Sequence, residues 1–575
     1  MEYRPAELDA KWQARWKAEQ PFAAAFPSEK PKFYVLDMFP YPSGAGLHVG
    51  HPLGYIASDI LARYMRHRGY NVLHPMGYDA FGLPAEQYAI QTGQHPAITT
   101  ETNIQRYREQ LDRIGFSFDW SREVRTCQAD YYGWTQWIFV QLFHSWFNVS
   151  TQKAEGIERL VAHLAKNGTK DLHAAHHGEP SCTAQEWANM DSKQREELLQ
   201  HYRMAFRSDS VVNWCPALGT VLANDEVVDG RSERGGHPVV QKPMLQWSLR
   251  ISAYAQKLLD GLDTLDWSDS IKETQRNWIG RSQGARVRFA LPSLSESALE
   301  VFTTRPDTLF GVTFMVVAPE HPLLDVLTSQ AQRNEVMAYR EQASRRSERE
   351  RQADTKTIGG AFTGAFATHP FTGAPIPLWT SDYVLMGYGT GAIMAVPAHD
   401  SRDHAFALHF GLPIVEVVAG GDVQVASHDA KEGTLIHSDF LNGLEVSDAI
   451  EQAIQSLASR NLGERRIQYR LRDAVFGRQR YWGEPIPIVY REGVPETLPL
   501  DQLPLVLPTV DAYLPTEDGE PPLARAQGWQ SAEGLPLETT TMPGWAGSSW
   551  YFLRYMDPQN PARFADREKM DYWGQ

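Results

Sequence analysis

Cysteine is scarce in this chain of 575 residues, which contains only Cys127, Cys182 and Cys215. The three are far apart and form no C-x-x-C pair, so a disulfide framework is excluded and a reducing compartment is favoured. Long apolar runs are also lacking: no stretch approaches the roughly 18–20 consecutive apolar residues of a membrane span. The first residues lack the basic-then-apolar pattern of a signal peptide. We therefore expect a cytoplasmic protein without membrane association.

Positive charge is in deficit as well, because the formal net charge is -15. The proportions of hydrophobic residues (42%) and charged residues (22%) are ordinary for a globular protein, and the length allows several domains. The overall charge argues against nonspecific binding of nucleic acid. A local basic surface would still permit binding, since steering depends on where the charges lie.

A glycine-rich turn follows the first predicted strand and leads into a helix. Residues 33–38 have strand composition, and residues 40–46 contain the prolines and glycines of a tight connection. Apolar residues then recur at helical spacing, at Leu53, Ile56, Ile60, Leu61, Tyr64 and Met65. This order predicts that the turn ends at a helix N-terminus.

Two histidines stand at the predicted start of that helix. His48 and His51 are three residues apart and would face the same side. A helix N-terminus has unpaired N–H groups and the positive end of the macrodipole, and Gly46 and Gly50 would let a phosphate approach the backbone. The imidazoles could stabilise charge that develops on a phosphate in a transition state. Taken alone, the pair is also open to interpretation as capping or core histidines.

The first 148 residues alternate between strand and helix patterns. Residues 70–73 form a second predicted strand, and residues 103–115 predict an amphipathic helix that ends at a glycine. This alternation favours a doubly wound parallel sheet of the α/β class.

Residues 149–210 are polar and predict a helical insertion, with the clearest helix at 194–200. His173, His176 and His177 suggest a metal site. Neither cysteines nor an ordered carboxylate pattern accompany them, so a solvated insertion without chemistry is favoured.

Two basic runs flank a β-rich stretch at 281–466. The first contains Lys272, Arg276, Arg281, Arg286 and Arg288; the second contains Arg465, Arg466, Arg470, Arg472, Arg478 and Arg480, interleaved with Tyr469, Phe476, Tyr481 and Trp482. A charge run is usually a solvated face with local ion pairs. At a junction between domains, the aromatic side chains could instead stack on the end of a nucleic acid. The sequence leaves both interpretations open.

Two polar strings interrupt apolar strands within this stretch. One is Val301-Phe-Thr-Thr-Arg-Pro-Asp-Thr-Leu-Phe310, and the other is Tyr388-Gly-Thr-Gly-Ala-Ile-Met-Ala-Val-Pro-Ala-His-Asp-Ser-Arg-Asp403. Polar groups are costly to bury unless they bind something polar. Turn-capping residues would suffice to explain either string alone.

Together these motifs resemble a known family. Met38-Phe-Pro-Tyr-Pro-Ser-Gly-Ala-Gly-Leu-His-Val-Gly-His51, followed by Met76-Gly-Tyr-Asp-Ala-Phe-Gly-Leu-Pro-Ala-Glu86, resembles the class I aminoacyl-tRNA synthetases and, among them, the bacterial leucyl-tRNA synthetases. The related valine and isoleucine enzymes usually have Pro-Pro-Pro-Asn-like turns at the position of Met38. The two strings of the β-rich stretch resemble the editing domain of the leucine, isoleucine and valine enzymes. The likeness covers nearly all of the chain except the polar insertion.

The resemblance implies a Rossmann-like doubly wound parallel sheet with an inserted β-rich editing domain. The implied segments are the first half of the catalytic domain (1–148), the helical polar insertion (149–210), a degenerate zinc-knuckle-like module (211–247), a return to the catalytic domain with a linker (248–280), the editing domain (281–466) and an incomplete second half of the catalytic domain (467–575). A Lys-Met-Ser-Lys-Ser-type loop and a helical anticodon-side domain are absent, and Lys569-Met570 is followed by Asp571. The chain is therefore expected to be an N-terminal portion of such an enzyme.

Zinc is not expected in the knuckle-like module. Tetrahedral zinc needs four ligands, and only Cys215 and His237 are candidates there. No other metal ligand set is predicted.

The resemblance also implies the reaction and its sites. Leucine would be activated by ATP to leucyl-adenylate and transferred to tRNA(Leu), with Mg²⁺ bound to the departing pyrophosphate, by a protein expected to be a monomer. His48 and His51 would contact the triphosphate, with Gly46 and Gly50 beside it. The implied leucine site consists of Met38, Phe39, Tyr41, Asp79, Ser549 and Tyr551, and Asp79 would receive the ammonium group.

A second, hydrolytic site is expected because a hydrophobic pocket separates side chains that differ by one methylene by only about 1–3 kcal/mol. By resemblance, Asp403 would hold the ammonium group of a misattached amino acid, and Thr308 would obstruct correct leucine. Thr303, Thr304 and Arg305 would bind the adenosine terminus, and Asp400 and Arg402 would support the pocket. A positioned water would suffice as nucleophile.

Two alternatives remain open at this stage. The chain could act only as an aminoacyl-tRNA editing hydrolase, since its editing unit is complete and the lysine loop is missing. It could also be a small-molecule nucleotidyltransferase that uses the same histidine helix, although the string from Thr303 to Thr308 argues against that class.

Overall fold

The structure, a computed structural model, describes residues 4–178, 180–223, 226–228, 230–294, 297–344, 346, 351, 357–386, 390–515 and 520–574. No helix in these ranges combines the length and the apolar composition that crossing a membrane requires.

Helices and strands alternate in the N-terminal part, and the predicted α/β character is confirmed. The elements are α1 (Pro5–Glu19), β1 (Lys32–Tyr34), α2 (Gly50–His67), β2 (Asn71–Leu73), α3 (Leu83–Thr92), α4 (Pro96–Ile114) and α5 (Ala129–Phe143). β1 and β2 pair in parallel, with Phe33 beside Val72, and α2 forms the crossover between them.

The helix predicted at 103–115 is confirmed as the C-terminal part of α4. Gly115 ends it in the left-handed conformation, with φ 86°. α4 starts earlier than predicted because Pro96 occupies its first turn and the His95 side chain accepts the Ala97 N–H. The strand predicted at 33–38 is shorter than expected, because the ladder ends soon after Tyr34.

The polar insertion folds around a small core of its own. β3 (Ser145–Asn148) and β4 (Lys153–Gly156) form an antiparallel hairpin, followed by α6 (Ile157–Asn167), α7 (Ala184–Asn189) and α8 (Ser192–Gln200). The helix predicted at 194–200 is confirmed within α8. Its core contains Trp146, Leu160, Leu164, Trp187, Leu198, Leu199 and Tyr202. The polar composition did not predict the hairpin.

An antiparallel sheet follows the insertion. Among the described residues its strand order is β17 (Ala474–Val475), β9 (Val240–Leu249), β5 (Ala205–Cys215) and β6 (Thr220–Leu222). A short pair, β7 (Val227–Val228) and β8 (Arg231–Ser232), lies between β6 and β9 in the chain. Two helices, α9 (Ala255–Leu262) and α10 (Asp269–Ile279), then lead to the β-rich unit.

The predicted β-rich character of the next segment is confirmed. Its elements are β10 (Arg281–Ala290), β11 (Ala298–Thr303), β12 (Phe314–Val317), α11 (Leu324–Leu327), α12 (Arg333–Ser344), β13 (Ala361–Thr368), β14 (Pro375–Thr380), β15 (Ala392–Ala395), α13 (Ser401–Phe410), α14 (Val446–Ser459) and β16 (Gly463–Tyr469). Within the described ranges the sheet order is β11-β10-β13-β14-β12-β15, and β16 also pairs with β10.

The C-terminal part returns to the N-terminal layer. It contains the hairpin of β18 (Ile488–Arg491) and β19 (Val494–Thr497), then α15 (Trp545–Ser548), α16 (Tyr551–Arg554) and α17 (Arg567–Trp573). Trp550 stacks on Tyr131 of α5, with ring centroids 4.6 Å apart. This packing brings the residues around 550 against the N-terminal motif.

Candidate functional site

The two predicted histidines meet at the start of α2. His48 precedes the helix and is exposed, His51 is its second residue, and their ring centroids lie 3.9 Å apart. Glycine at position 50 permits this packing, because a Cβ there would lie 2.9 Å from the His48 ring.

Backbone contacts determine which ring nitrogen of each histidine carries the proton. Gly50 N–H donates to His48 Nδ1 (3.1 Å), and His48 N–H donates to His51 Nδ1 (3.3 Å). An Nδ1 that accepts an amide proton has none of its own, so each neutral ring presents Nε2–H. Burial, with the neighbouring His48 adding to it, lowers the pKa of His51 and favours its neutral form. The pair thus offers two N–H donors, the groups that phosphate oxygens accept.

The segment before this turn packs against α16. Phe39 is buried and stacks on Tyr551, with centroids 4.2 Å apart and planes within 9°. The Tyr551 hydroxyl donates to the Asp37 carbonyl oxygen (3.3 Å). Met38 is 79% exposed, and Tyr41 is about half exposed. Four of the predicted leucine-site residues therefore lie along one strip. Phe39 and Tyr551 form its aromatic stack, and Met38 and Tyr41 are its exposed side chains.

Asp79 is buried beside that strip. Its N–H donates to the Pro40 carbonyl oxygen (3.1 Å), and Thr126 Oγ1 donates to its Oδ1 (3.1 Å). Burial raises the pKa of Asp79 to about 7, against the lowering effect of hydrogen bonds from the hydroxyls of Ser548, Thr126 and Tyr41. The carboxyl group therefore titrates near neutrality in the empty site.

The two adjacent serines have different contacts. Ser549 Oγ donates to the Ala546 carbonyl oxygen (2.7 Å), and Ser548 Oγ donates to the Trp545 carbonyl oxygen (3.3 Å). Of the two, only Ser548 lowers the pKa of Asp79. Sequence reasoning selected Ser549 and missed Ser548, since two neighbouring serines in one string give no signal that separates them.

Glu484 is a second buried carboxyl group that sequence reasoning missed. A Cβ on Gly547 would lie 2.6 Å from its Oε1, and it sits close enough to Asp79 to interact electrostatically. Burial raises the pKa of Glu484 well above its ordinary value, and the charge of Asp79 adds to the effect. Burial therefore favours the neutral form of Glu484. An acidic residue within the apolar string Trp482-Gly-Glu-Pro-Ile-Pro487 is the signal that could have indicated it.

The threonine-rich string forms a compact turn after β11. Thr303 Oγ1 accepts the Arg305 N–H (3.0 Å), and Thr308 Oγ1 donates to the Arg305 carbonyl oxygen (2.9 Å). The Arg305 guanidinium binds Asp307 (Nη2 to Oδ2, 2.7 Å) and donates to the Ala430 carbonyl oxygen (3.0 Å). Thr308 is buried and Thr304 is exposed.

The second string begins α13. Asp400 Oδ1 caps this helix by accepting the N–H groups of Arg402 (2.9 Å) and Asp403 (3.1 Å). Asp403 is 4% exposed, and its Oδ2 accepts the Val396 N–H (2.8 Å). Burial raises the pKa of Asp403 to about 8, with the charge of Asp400 as the next contribution. Tyr388 and Gly389 of this string lie outside the described residues.

The two strings adjoin in space. A Cβ on Gly311, which ends the threonine turn, would lie 3.1 Å from Val396 Cγ1, and Val396 N–H donates to Asp403. His399, next to Asp400, interacts electrostatically with Arg305; burial is the main cause of its lowered pKa. The turn with Thr308 and the helix start with Asp403 therefore adjoin each other and make one candidate site.

Tyr383 is a residue of this site that the sequence did not indicate. Its hydroxyl donates to Asp403 Oδ1 (3.0 Å) across 20 positions of the chain. It begins a short apolar stretch, Tyr383 to Met386, where a tyrosine is typical of a core.

The basic runs are largely paired within the protein. Arg286 contacts both Glu300 and Glu464, and Arg465 contacts Glu451. Phe476, Tyr481 and Trp482 are buried in apolar clusters. The interpretation as a face with local ion pairs is confirmed for these arginines. The alternative interpretation, in which these three aromatic side chains stack on bases, is wrong because their rings are in the core.

The predicted metal candidates lie in packed surroundings. His177 Nδ1 lies 3.0 Å from an Arg250 Nη, and burial, followed by the charge of Arg250, lowers the pKa of His177 to about 3. Cys215 is buried among Leu218, Leu222 and Val227. Over the part of the chain that the structure describes, no group of three His, Cys, Asp or Glu side chains could hold a metal ion.

Comparison with known proteins relates the two parts of the chain that contain these residues to known families. The family model "Leucyl-tRNA synthetase, editing domain" matches residues 276–458, and the model "tRNA synthetases class I (M)" matches residues 33–155. Leucine–tRNA ligase of Amoebophilus asiaticus is 57% identical over 98% of this chain and 62% of its own length. Leucine–tRNA ligase of Porphyromonas gingivalis is 58% identical over 100% of this chain and 62% of its own length.

A solved structure has the same fold. It is the ternary complex of Agrobacterium radiobacter K84 agnB2 LeuRS with tRNA and LeuAMS, with a TM-score of 0.76 and 34% identity over 100% of this chain and 62% of that one. The chain thus spans somewhat less than two thirds of the length of these relatives. From the matches to both family models and to whole-chain relatives, we conclude that the chain belongs to the leucyl-tRNA synthetase family.

Proposed function

We propose that this chain serves the ATP-dependent activation of leucine and its transfer to tRNA(Leu), with hydrolytic editing of mischarged tRNA, as a cytoplasmic monomer. The observation that carries the proposal is the connection of Asp79 to the histidine motif. Asp79 N–H bonds the Pro40 carbonyl oxygen (3.1 Å), and Tyr55 of α2 donates to the Met38 carbonyl oxygen (3.0 Å). One short segment therefore joins an anion-binding helix start to a buried carboxyl group.

The proposed architecture is a Rossmann-like doubly wound parallel sheet interrupted by an editing domain. The parallel β1–α2–β2 crossover supports it, because such units build doubly wound sheets. We assign the catalytic domain to 1–148, 248–280 and 467–575, the insertion to 149–210, the knuckle-like module to 211–247 and the editing domain to 281–466. The two family matches, at 33–155 and 276–458, support this division.

In the synthetic site, His48 and His51 bind the triphosphate of ATP through Nε2–H, and Gly46 and Gly50 line its approach. The tautomers set by the backbone contacts suit this role, since both rings then donate. Mg²⁺ would neutralise charge on the pyrophosphate. Its ligands would be chiefly phosphate oxygens, because the described residues form no cluster of three protein ligands.

Leucine occupies the strip of Met38, Phe39, Tyr41 and Tyr551, and Asp79 receives its ammonium group. A cation beside Asp79 favours the ionised carboxylate, so binding of leucine would pull the raised pKa of Asp79 down. Ser549, which bonds its own backbone, would shape the pocket wall.

In the editing site, Asp403 holds the ammonium group of the misattached amino acid, and Thr308 limits the space for leucine. Thr303, Thr304 and Arg305 bind the adenosine end, while Asp400 and Arg402 support the helix start. The exposed Thr304 and the helix cap by Asp400 support these assignments. Water is the nucleophile.

Two assays test the proposal. Leucine-dependent exchange of pyrophosphate into ATP reports the synthetic site, and deacylation of tRNA(Leu) charged with a smaller amino acid reports the editing site. We expect both activities in an enzyme that includes the remaining length of the relatives. Deacylation without exchange in that longer enzyme would restrict the function to hydrolysis, and exchange with a different amino acid would overturn the leucine assignment.

A further inference from the structure

We propose that Tyr383 is a positioning residue of the editing site: its hydroxyl holds the Asp403 carboxylate in the orientation that receives the ammonium group of an aminoacyl ester. This inference rests on the ammonium-binding role proposed for Asp403.

The contacts of Asp403 leave hydrogen-bond acceptor positions for such a ligand. Tyr383 Oη donates to Oδ1 (3.0 Å), and Val396 N–H donates to Oδ2 (2.8 Å). Each carboxylate oxygen can accept two hydrogen bonds, so each retains one acceptor position. An ammonium group, which has only donors, matches these positions.

Tyr383 and the Val396 N–H together restrain a rotation that the main chain of Asp403 itself leaves free. The main chain of Asp403 is held by the Asp400 cap, through Asp403 N–H to Asp400 Oδ1 (3.1 Å). The terminal torsion of an aspartate is soft, so its oxygens are oriented by their hydrogen-bond donors. Tyr383 provides one of the two donors, from a ring that packs 5.8 Å from Phe406 of α13.

The charged groups around the Asp403 carboxylate have opposite effects on its ionisation. Asp400 disfavours ionisation of Asp403, and Arg402 favours it. Burial, with Asp403 adding to it, raises the pKa of Tyr383 well above its ordinary value, so its hydroxyl remains a donor at physiological pH. A donor to the ionised form lowers the pKa of a carboxyl group, and removal of Tyr383 Oη would therefore raise that of Asp403.

The test compares Tyr383→Phe with Tyr339→Phe. Tyr339 is a matched control because its hydroxyl also bonds an aspartate in the same unit, Asp382 (3.0 Å), and not Asp403. The first probe is an aminoacyl-adenosine in which an amide replaces the labile ester. The second probe is identical except that hydrogen replaces the α-amino group. Binding of both is measured by calorimetry between about pH 6 and pH 9, the range around the ordinary pKa of an α-amino group.

We expect Tyr383→Phe to weaken binding of the ammonium probe about ten- to a hundredfold near neutral pH, as for loss of a hydrogen bond to a charged group. The acid limb of its pH dependence should move to higher pH. The probe without the amino group should bind as it does to wild type, and Tyr339→Phe should change neither probe.

The outcomes separate the two proposals. Equal binding of both probes by wild type would overturn the ammonium-binding role of Asp403 itself. If wild type prefers the ammonium probe and Tyr383→Phe keeps that preference and its pH dependence, only the positioning role of Tyr383 is overturned. Equal weakening of both probes by Tyr383→Phe would likewise overturn it, because that result indicates a general structural loss.

Discussion

Arg281 and Tyr469 lie opposite each other on antiparallel strands, although 187 residues lie between them in the chain. Arg281 begins β10, and Tyr469 ends β16. The pairing continues from there to Val287 opposite Gly463. The incoming strand β10 and the outgoing strand β16 of the editing unit therefore form one continuous ladder. A ladder at the junction explains how a large unit can be inserted without disturbing the sequence on either side of it.

The pairing of β10 with its other neighbour, β11, makes Gly284 sensitive to substitution. A Cβ there would lie 2.0 Å from the Thr303 carbonyl oxygen of the neighbouring strand. We expect Gly284→Ala to destabilise the editing unit by about 2–4 kcal/mol, as for strain in a core. Hydrogen exchange of the amides in β10 and β11 measures it. Gly261→Ala is the control, since nothing lies within 4 Å of a Cβ at that helical position; equal protection in both variants would contradict the expectation.

The histidine tautomers predict how variants of His51 rank in their rate of leucine-dependent pyrophosphate exchange. The side-chain amide nitrogen of Gln can occupy the place of Nε2, whereas that of Asn lies nearer Nδ1. We expect His51→Ala and His51→Asn to lower leucine-dependent pyrophosphate exchange about a hundredfold or more, and His51→Gln to lower it less. His67→Ala, at the other end of α2, is the control. A wild-type rate for His51→Ala would remove His51 from the phosphate site.

Substitution of Asp79 is expected to have opposite effects on the stability of the protein and on its binding of leucine. Burial raises the pKa of Asp79 to about 7 in the folded protein, from an ordinary value near 3.8. The folded state therefore retains a proton that the unfolded state releases, and stability falls as the pH rises between these two values. We expect Asp79→Asn to raise the free energy of unfolding at neutral pH by about 1 kcal/mol or more and to abolish leucine binding. Thermal unfolding against pH and calorimetry with leucine measure the two effects, and a variant that binds leucine normally would refute the assignment.

At Glu484, the charge and the shape of the side chain are expected to have separate effects on the free energy of unfolding. Burial raises the pKa of this carboxyl group well above its ordinary value and so favours the neutral form. We expect Glu484→Gln to leave the unfolding free energy within about 1 kcal/mol, and Glu484→Ala to lower it by about 2 kcal/mol or more. Equal losses in the two variants would show that an ionised carboxylate is needed instead.

The charge of Asp403 is expected to be needed for hydrolysis of mischarged tRNA(Leu). Substitution by Asn keeps the size of the side chain but removes the charge that binds an ammonium group. We expect Asp403→Asn to slow deacylation of mischarged tRNA(Leu) about a hundredfold while folding is retained. Asp325→Asn, an exposed position in the same unit that pairs with Arg340, is the control. Unchanged deacylation by Asp403→Asn would refute its role.

Local features of this protein were determined by the sequence alone. The turn before His48, the end of α4 at Gly115, the helix at 194–200 and the β-rich character of the editing unit all follow from spacing, capping and glycine placement. These features depend on neighbours a few positions apart, which is the range over which helix and turn energetics act.

Only the tertiary structure decided which distant side chains meet. The stack of Phe39 on Tyr551, the effect of Ser548 on the pKa of Asp79, and the bond from Tyr383 to Asp403 each depend on how separate elements pack. The same holds for Phe476, Tyr481 and Trp482 of the second basic run, which look available for stacking in the sequence and are buried in the fold. Long-range contacts are set by the burial of whole faces, and a linear pattern does not contain that information.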